Sequence, residues 1–178
     1  MTKSKCILLN GFAGAGKTTI AKRYINDHPL ALVIEGDELI VNMGQWVEHE
    51  KEARKQTFEL TKSMIATHLA AGYDVILPYL VTDASHVEEF GQIAKIHDAE
   101  FYEIVLHNNR SEAISRLLKR GTWGEADLPP VTMKDLPQIE KDVDIMEAQL
   151  ERRPHAKVIA IKDGAIDDTY RQVLEFIV

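Results

Sequence analysis

The sequence predicts an α/β fold of three layers, a five-stranded, mainly parallel sheet with helices on both faces. Two observations predict it. Five short apolar runs alternate with segments of helical period, the pattern of repeated βαβ units. The first run leads into a glycine-rich stretch, NGFAGAGKTT at 10–19, which opens directly into a helical segment.

Each element has its own signal. KCILLNG (5–11) reads as the first strand and 17–27 as the helix leaving the glycine loop. ALVIEG (31–36) is the second strand. A helical segment from about Gln45 to Ala71 follows, with Phe58, Met64, Ile65 and Leu69 at helical spacing and Ala71-Gly72 as its stop. YDVILPYLV (73–81) is the third strand, ended by Pro78. The next helix spans about Ser85 to His97 and opens on a capping-box pattern, Ser85 with Glu88. EFYEIVLH (100–107) is the fourth strand and 111–120 a short helix. GTWGEADLPPVTM (121–133), rich in glycine, proline and acid, begins a lid excursion over about 121–150, with a helix from about Leu136 to Leu150. AKVIAIKD (156–163) is the fifth strand, and a last helix starts near Asp167. No repeat or linker divides residues 1–178, which read as a single domain.

Composition narrows the partners. The hydrophobic fraction is 45%, the charged fraction 28% and the net charge −7. No stripe of lysine and arginine marks a nucleic-acid surface, so a small-molecule partner is expected. No apolar run approaches the roughly 20 residues of a membrane helix. The run after Lys3 and Lys5 is too short for a signal peptide and reads as a strand. The single cysteine, Cys6, excludes an internal disulfide, which suits a reducing compartment and a cytoplasmic location. Asn109-Arg110-Ser111 matches a glycosylation triplet, read here as chance. The sequence is silent on oligomeric state.

In a parallel sheet, ligands bind at the carboxyl ends of the strands. That rule singles out 10–18, 35–38, 78–83, 107–110 and 162–164. Within the first, Gly11-Phe12-Ala13-Gly14-Ala15-Gly16-Lys17-Thr18 fits G-x-x-x-x-G-K-[ST]. The glycines let backbone N–H groups turn inward around an anion, and the following helix adds its positive end. Lys17 is placed to reach the β- and γ-phosphates and the Thr18 hydroxyl to ligate Mg²⁺, with Thr19 next to it. The expected ligand is a nucleoside triphosphate, ATP, with Mg²⁺. A GTPase would show Asn-Lys-x-Asp, and motor or remodelling ATPases an apolar strand ending in Asp-Glu; neither is present.

The remaining common use is phosphoryl transfer to a small acceptor. Asp37 and Glu35 stand at the carboxyl end of the second strand, where one carboxylate takes a hydroxyl proton and the other helps to hold Mg²⁺. The competing reading of Asp37 is a helix cap. Arg116 and Arg120, four apart, share a helix face at the entry to the excursion, either closing on nucleotide and phosphates or standing as a solvated helix end. Trp46, His49, Tyr79 and Trp123 are candidates for the acceptor wall, and His107 and Lys162-Asp163-Gly164 lie on the ligand edge.

These residues resemble the P-loop small-molecule kinases: chloramphenicol phosphotransferase, shikimate kinase, gluconate kinase and, more distantly, adenylate kinase. The loop at 11–18 is common to them, and GDELIVNM (36–43) is similar to the segment carrying the proposed catalytic aspartate of chloramphenicol phosphotransferase. The resemblance implies that Asp37 is the base and that Arg116 and Arg120 match the paired arginines at the lid of adenylate-kinase-like enzymes, one on adenine and one on phosphate. It implies ATP-dependent transfer to a hydroxyl of an antibiotic-, sugar- or metabolite-like molecule, with Lys17, Asp37 and Arg120 catalytic. Two features depart from the pattern. The third strand ends LPYLVTD, leaving Asp83 as the acidic residue there, and 121–151 holds no arginine, leaving Lys134, Lys141, Arg152 or Arg153 as further cations. Two alternatives stay open. One is a nucleoside or nucleotide kinase, with Lys51, Arg54, Lys55 and Lys62 near a phosphate-bearing acceptor; the other is a non-catalytic ATP-binding switch.

Overall fold

The strand Lys5–Gly11 (β1) occupies the middle of the sheet, as its composition requires. Cys6, Ile7, Leu8 and Leu9 are fully buried and alternate between faces, Ile7 and Leu9 entering one core and Cys6 and Leu8 the other. The computed structural model describes residues 3–123, 128–150, 153–162 and 164–178. After β1 come α1 (Lys17–Asp27), β2 (Leu32–Val33), α2 (Gly36–Ile40), α3 (Glu50–Ala70), β3 (Val75–Pro78), α4 (Ala84–Ile96), β4 (Glu100–His107) and α5 (Arg110–Arg120). A 3-10 turn at Met133–Asp135 leads to α6 (Leu136–Leu150), β5 (Lys157–Ala160) and α7 (Ile166–Phe176).

The strand order is β2-β3-β1-β4-β5, and the pairings are parallel. The order reverses at β1, so the crevice of the sheet opens at its carboxyl end. One face is covered by α1 and α7, whose Ile20, Tyr24, Tyr170 and Val173 pack on Ile7, Leu9, Ile104 and Leu106. On the other, α3 and α4 bring Ile65, Leu69, Val87 and Phe90 onto Leu8 and Leu77. Beside them α5 and α6 bury Leu117, Ile139, Val143 and Met146 against Phe12 and Val105. This is the three-layer α/β/α arrangement that the alternation predicts. Among the described residues no helix is long and apolar enough to cross a membrane.

Several elements differ from the sequence reading, the third and fifth strands being shorter, at Val75–Pro78 and Lys157–Ala160, than the runs that announced them. The second strand has two residues in place of six. The chain turns at Glu35 into α2, whose first turn carries Asp37 and Glu38, a favourable place for acid at the positive end of a helix. The long helix then begins at Glu50 rather than near Gln45, because Ile40 and Trp46 fold back onto Ala53 in a small core of their own. The cap of α4 is Asp83, not Ser85: its carboxylate accepts from the Ser85 N–H at 2.9 Å and the Ser85 hydroxyl at 2.8 Å, so the expected box with Glu88 does not form. In the excursion, α6 is part of the packed body, because its Ile139, Val143 and Met146 form an apolar stripe that must be buried.

A polar seam runs through the face that carries α3 to α6. Asn10 is 1% exposed; its Oδ1 accepts from the N–H groups of Gly11 (2.9 Å) and Val81 (3.0 Å), and its Nδ2 donates to the Val81 carbonyl at 2.9 Å. The start of the glycine loop is thereby tied to the chain leaving β3. Nearby, Arg153 Nη1 donates to Glu103 Oε1 at 2.7 Å, with both side chains more than nine-tenths buried.

Candidate active site

The loop after β1 owes its shape to two glycines. Gly11 has φ of 150° and passes so close to β4 that a Cβ would stand 2.6 Å from the Leu106 carbonyl oxygen. Gly16 has φ of 85°, the left-handed region, and forms the N-terminal cap of α1 with no side chain over the helix end. The N-terminus of α1 thus faces the crevice, as an anion site requires. Phe12 anchors the loop from beneath in the α5–α6 core, and Ala13, Gly14, Ala15 and Gly16 line a cleft of about 840 Å³ with Lys17, Thr18 and Thr19.

Lys17 Nζ donates to the carbonyls of Gly11 at 2.7 Å and Phe12 at 2.9 Å, arched back over the loop. Burial pushes its ammonium down to about 8; the Asp37 carboxylate counters this, and the Arg120 guanidinium adds to it. Those electrostatic effects, and the shared cleft lining, bring together the three side chains expected to be catalytic. Asp37 does sit in the first turn of a helix, as its alternative reading has it, but the cap position is Glu35 and the Asp37 side chain faces the cleft.

The two metal candidates also meet. Thr18 Oγ1 donates to Glu35 Oε2 at 3.0 Å, although β3 lies between their strands, and Lys22 Nζ stands 3.6 Å from the other Glu35 oxygen. A hydroxyl and a carboxylate beside the phosphate loop are hard oxygen donors that suit Mg²⁺. Among the described residues no group of three or more His, Cys, Asp or Glu side chains gathers, so substrate phosphates and water must complete the shell of an ion held there.

Arg120 lines the cleft, whereas Arg116 packs its Cβ 3.5 Å from where a Gly14 side chain would begin and pairs with Glu112 at 3.9 Å. Helix α5 is therefore seated on the loop itself. Its cap is Asn109, whose side chain accepts from the Ser111 N–H, so this asparagine has a structural use. Of the aromatic candidates, Tyr79 and Trp123 line the cleft; Trp46 is buried in the small core with Ile40, and His49 stands exposed at the residue preceding α3, with no side-chain bond to the helix end. Asp83 is spent on capping α4 and does not line the cleft. Arg153 is held by Glu103, Lys134 and Lys141 are exposed, and Arg152 and Asp163 lie outside the described residues. His107 stands by Phe12 and Asn108, away from the main cleft. On the other flank, Ile166 at the start of α7 packs 3.4 Å from the Cβ position of Gly16, so the turn at Lys162 and Gly164 adjoins the loop.

Sequence reasoning missed Arg54, Phe58 and His86 as parts of one wall. Phe58 and His86 are in ring contact, centroids 4.0 Å apart, and both line the cleft with Arg54. Only their places, one turn into α4 for His86 and mid-α3 for Phe58, give a signal, and that signal depends on how the two helices pack. Tyr79 is fixed twice: its hydroxyl bonds to that of Thr61 at 2.7 Å, and its ring lies so near Gly36 that a Cβ there would meet it at 2.8 Å. Burial pushes the Tyr79 phenol up to about 12, the Thr61 bond pulling it back and the Asp37 carboxylate raising it further.

Comparison with known proteins agrees with this geometry. A family model described as an AAA domain matches residues 6–138. Among solved structures, the fold is similar to APS kinase of Mycobacterium tuberculosis in complex with AMPPNP and APS, at 14% identity and TM-score 0.62 over 99% of each chain. It is also similar to the tunicamycin resistance protein of Deinococcus radiodurans, at 15% identity and TM-score 0.62 over 98% of this chain and 96% of the other. Thymidylate kinase of Candida albicans aligns at 16% identity and TM-score 0.63, over 98% of this chain and 91% of that one. A comparison with curated protein sequences finds no match. The chain belongs to the AAA-domain family and has the P-loop fold of the small-molecule kinases.

Proposed function

We propose that this protein transfers the γ-phosphoryl group of ATP to a hydroxyl of a small molecule. The observation that carries the reading is the convergence of Lys17, Asp37 and Arg120 on one cleft, at the N-terminus of α1 and the switch point of the sheet. The acceptor oxygen forms its bond to the γ-phosphorus as the bond to the β–γ bridging oxygen breaks, and ADP leaves. Asp37 takes the hydroxyl proton. Lys17 swings from the Gly11 and Phe12 carbonyls to the phosphates, where its charge and the loop N–H groups meet the charge of the transferring group. Arg120 neutralises charge from the side of α5. Thr18 and Glu35 are the residues that would hold Mg²⁺, which would supply charge neutralisation to the phosphates. Trp123, from the excursion, screens the cleft from water.

The test is release of ADP from Mg-ATP with and without a panel of hydroxyl-bearing small molecules. One acceptor is expected to stimulate release, with Asp37→Asn keeping ATP affinity while losing roughly 10²-fold or more in kcat. An Asp37→Asn variant with the kcat of the parent would remove the base from this mechanism. Tight ATP binding with no stimulation by any acceptor would favour the nucleotide-dependent switch.

A further inference from the structure

Opposite the phosphate loop, the cleft is walled by rings and carries little positive charge to spare. Phe58 lies against His86 on one side of the wall, and Tyr79, locked by Thr61 and Gly36, forms the floor beside Leu80. Trp123, which packs on the α5–α6 core, lines the same cleft. These are flat surfaces of fixed orientation, suited to a planar ring.

Besides Lys17, Lys22 and Glu35 beside the phosphate loop and Arg120 on α5, the ionisable groups that line the cleft are Asp37, Glu38, Arg54 and His86. A phosphate monoester brings nearly two negative charges and three acceptor oxygens, which proteins meet with several cations or N–H groups. Arg54 donates its Nε to Glu50 at 2.8 Å. Lys62 is taken up by Glu59 at 2.9 Å and Glu89 at 2.7 Å, and Lys51 and Lys55 point to solvent outside the lining. Lys22 leans on Glu35. Of the basic residues of α3, Arg54 and Lys62 are thus held by carboxylates, and Lys51 and Lys55 stand outside the cleft. Asp37 and Glu38 meanwhile repel a dianion at the mouth of the same wall.

We infer that the acceptor is an uncharged alcohol bearing a planar ring, and not a phosphorylated one; this rests on the kinase reading above. The ring packs on Phe58 and Tyr79, and the hydroxyl points toward Asp37.

The test uses the full-length protein saturated with Mg-AMPPNP, and matched pairs of ligands differing by one phosphate. Suitable pairs are nucleosides with their 5′-monophosphates and aryl diols with their phosphate esters, with ring-free polyols as the reference. Affinity is measured by titration calorimetry and ligand-observed NMR, and ADP release from Mg-ATP in parallel. At least one uncharged ring alcohol is expected to bind about tenfold more tightly than its own phosphate ester. Phe58→Leu, which keeps apolar volume but removes the face, is expected to weaken that ligand about fivefold without moving AMPPNP affinity. Glu38→Lys, an exposed position, should narrow the gap between the pair. Phosphate esters that bind as well as their parent alcohols, polyols that bind best, or no binding by any uncharged ring alcohol would each overturn the inference. Binding of a ring alcohol without ADP release upholds the ligand class that this wall selects and overturns the kinase reading. ADP release with a phosphorylated acceptor does the reverse.

Discussion

Lys17 is half-buried and carries a proton that it holds weakly, its ammonium pushed from 10.5 to about 8, mainly by burial. The unfolded chain keeps that proton up to its ordinary value, so the cost of the buried charge is present below pH 8 and is relieved as pH rises from about 8 toward 10.5. Nucleotide affinity moves the other way, because phosphates bind the charged form. MgATP affinity, followed by fluorescence titration, is expected to be flat up to about pH 8 and then to fall by up to tenfold per unit. Lys17→Ala should bind weakly with a flat profile over the same range, and lose turnover. A parent protein whose affinity does not change above pH 8 would contradict the depressed ammonium. Lys17, Thr18 and the loop were legible in the sequence because one continuous spacing fixes them. Asp37 was legible as well, through its place after a strand. Phe58, His86 and Arg54 were not, because their shared wall exists only once α3 and α4 pack side by side on β3.

At the scale of elements, the five-residue helix α2 determines where Asp37 points, and its position is set by contact with Tyr79. A methyl at Gly36 would stand 2.8 Å from that ring, which Thr61 holds in place. Gly36→Ala is therefore expected to shift α2 or eject the ring, lowering kcat at least about tenfold while MgATP affinity stays within about twofold. Adding Tyr79→Leu should restore part of kcat by making room. Full activity in the Gly36→Ala protein would show that α2 tolerates the shift. Apart from α2, which the sequence reading did not contain, the existence and type of the main strands and helices were readable from period and from glycine and proline. The second strand was misjudged in extent and α2 was missed, since β2 keeps only two residues paired and α2 begins where strand composition continues. Propensity could not decide that boundary, whereas the acidic first turn and the seat on Tyr79 do.

For the molecule as a whole, two helix pairs share one face of the sheet, and the seam between them is polar. Removing one partner of the buried Glu103–Arg153 pair leaves the other uncompensated, so Arg153→Met is expected to cost roughly 3–5 kcal/mol in denaturant unfolding. The double variant with Glu103→Gln should recover most of it, and equal losses in single and double variants would show that the pair is not coupled. The layer count and parallel character followed from alternation, but the strand order did not, because it depends on which crossovers pass over β1. That order has a consequence for biosynthesis. The phosphate loop leaves the ribosome before β3 and β4, yet β1 is flanked by both of them, and Gly11 takes its shape against Leu106. Helix α5, which seats the loop, ends at Arg120. A nascent chain that has emerged only as far as Ile96 has the loop motif without the partners that give it shape, so the loop takes its form only after β4 and α5 have followed it out.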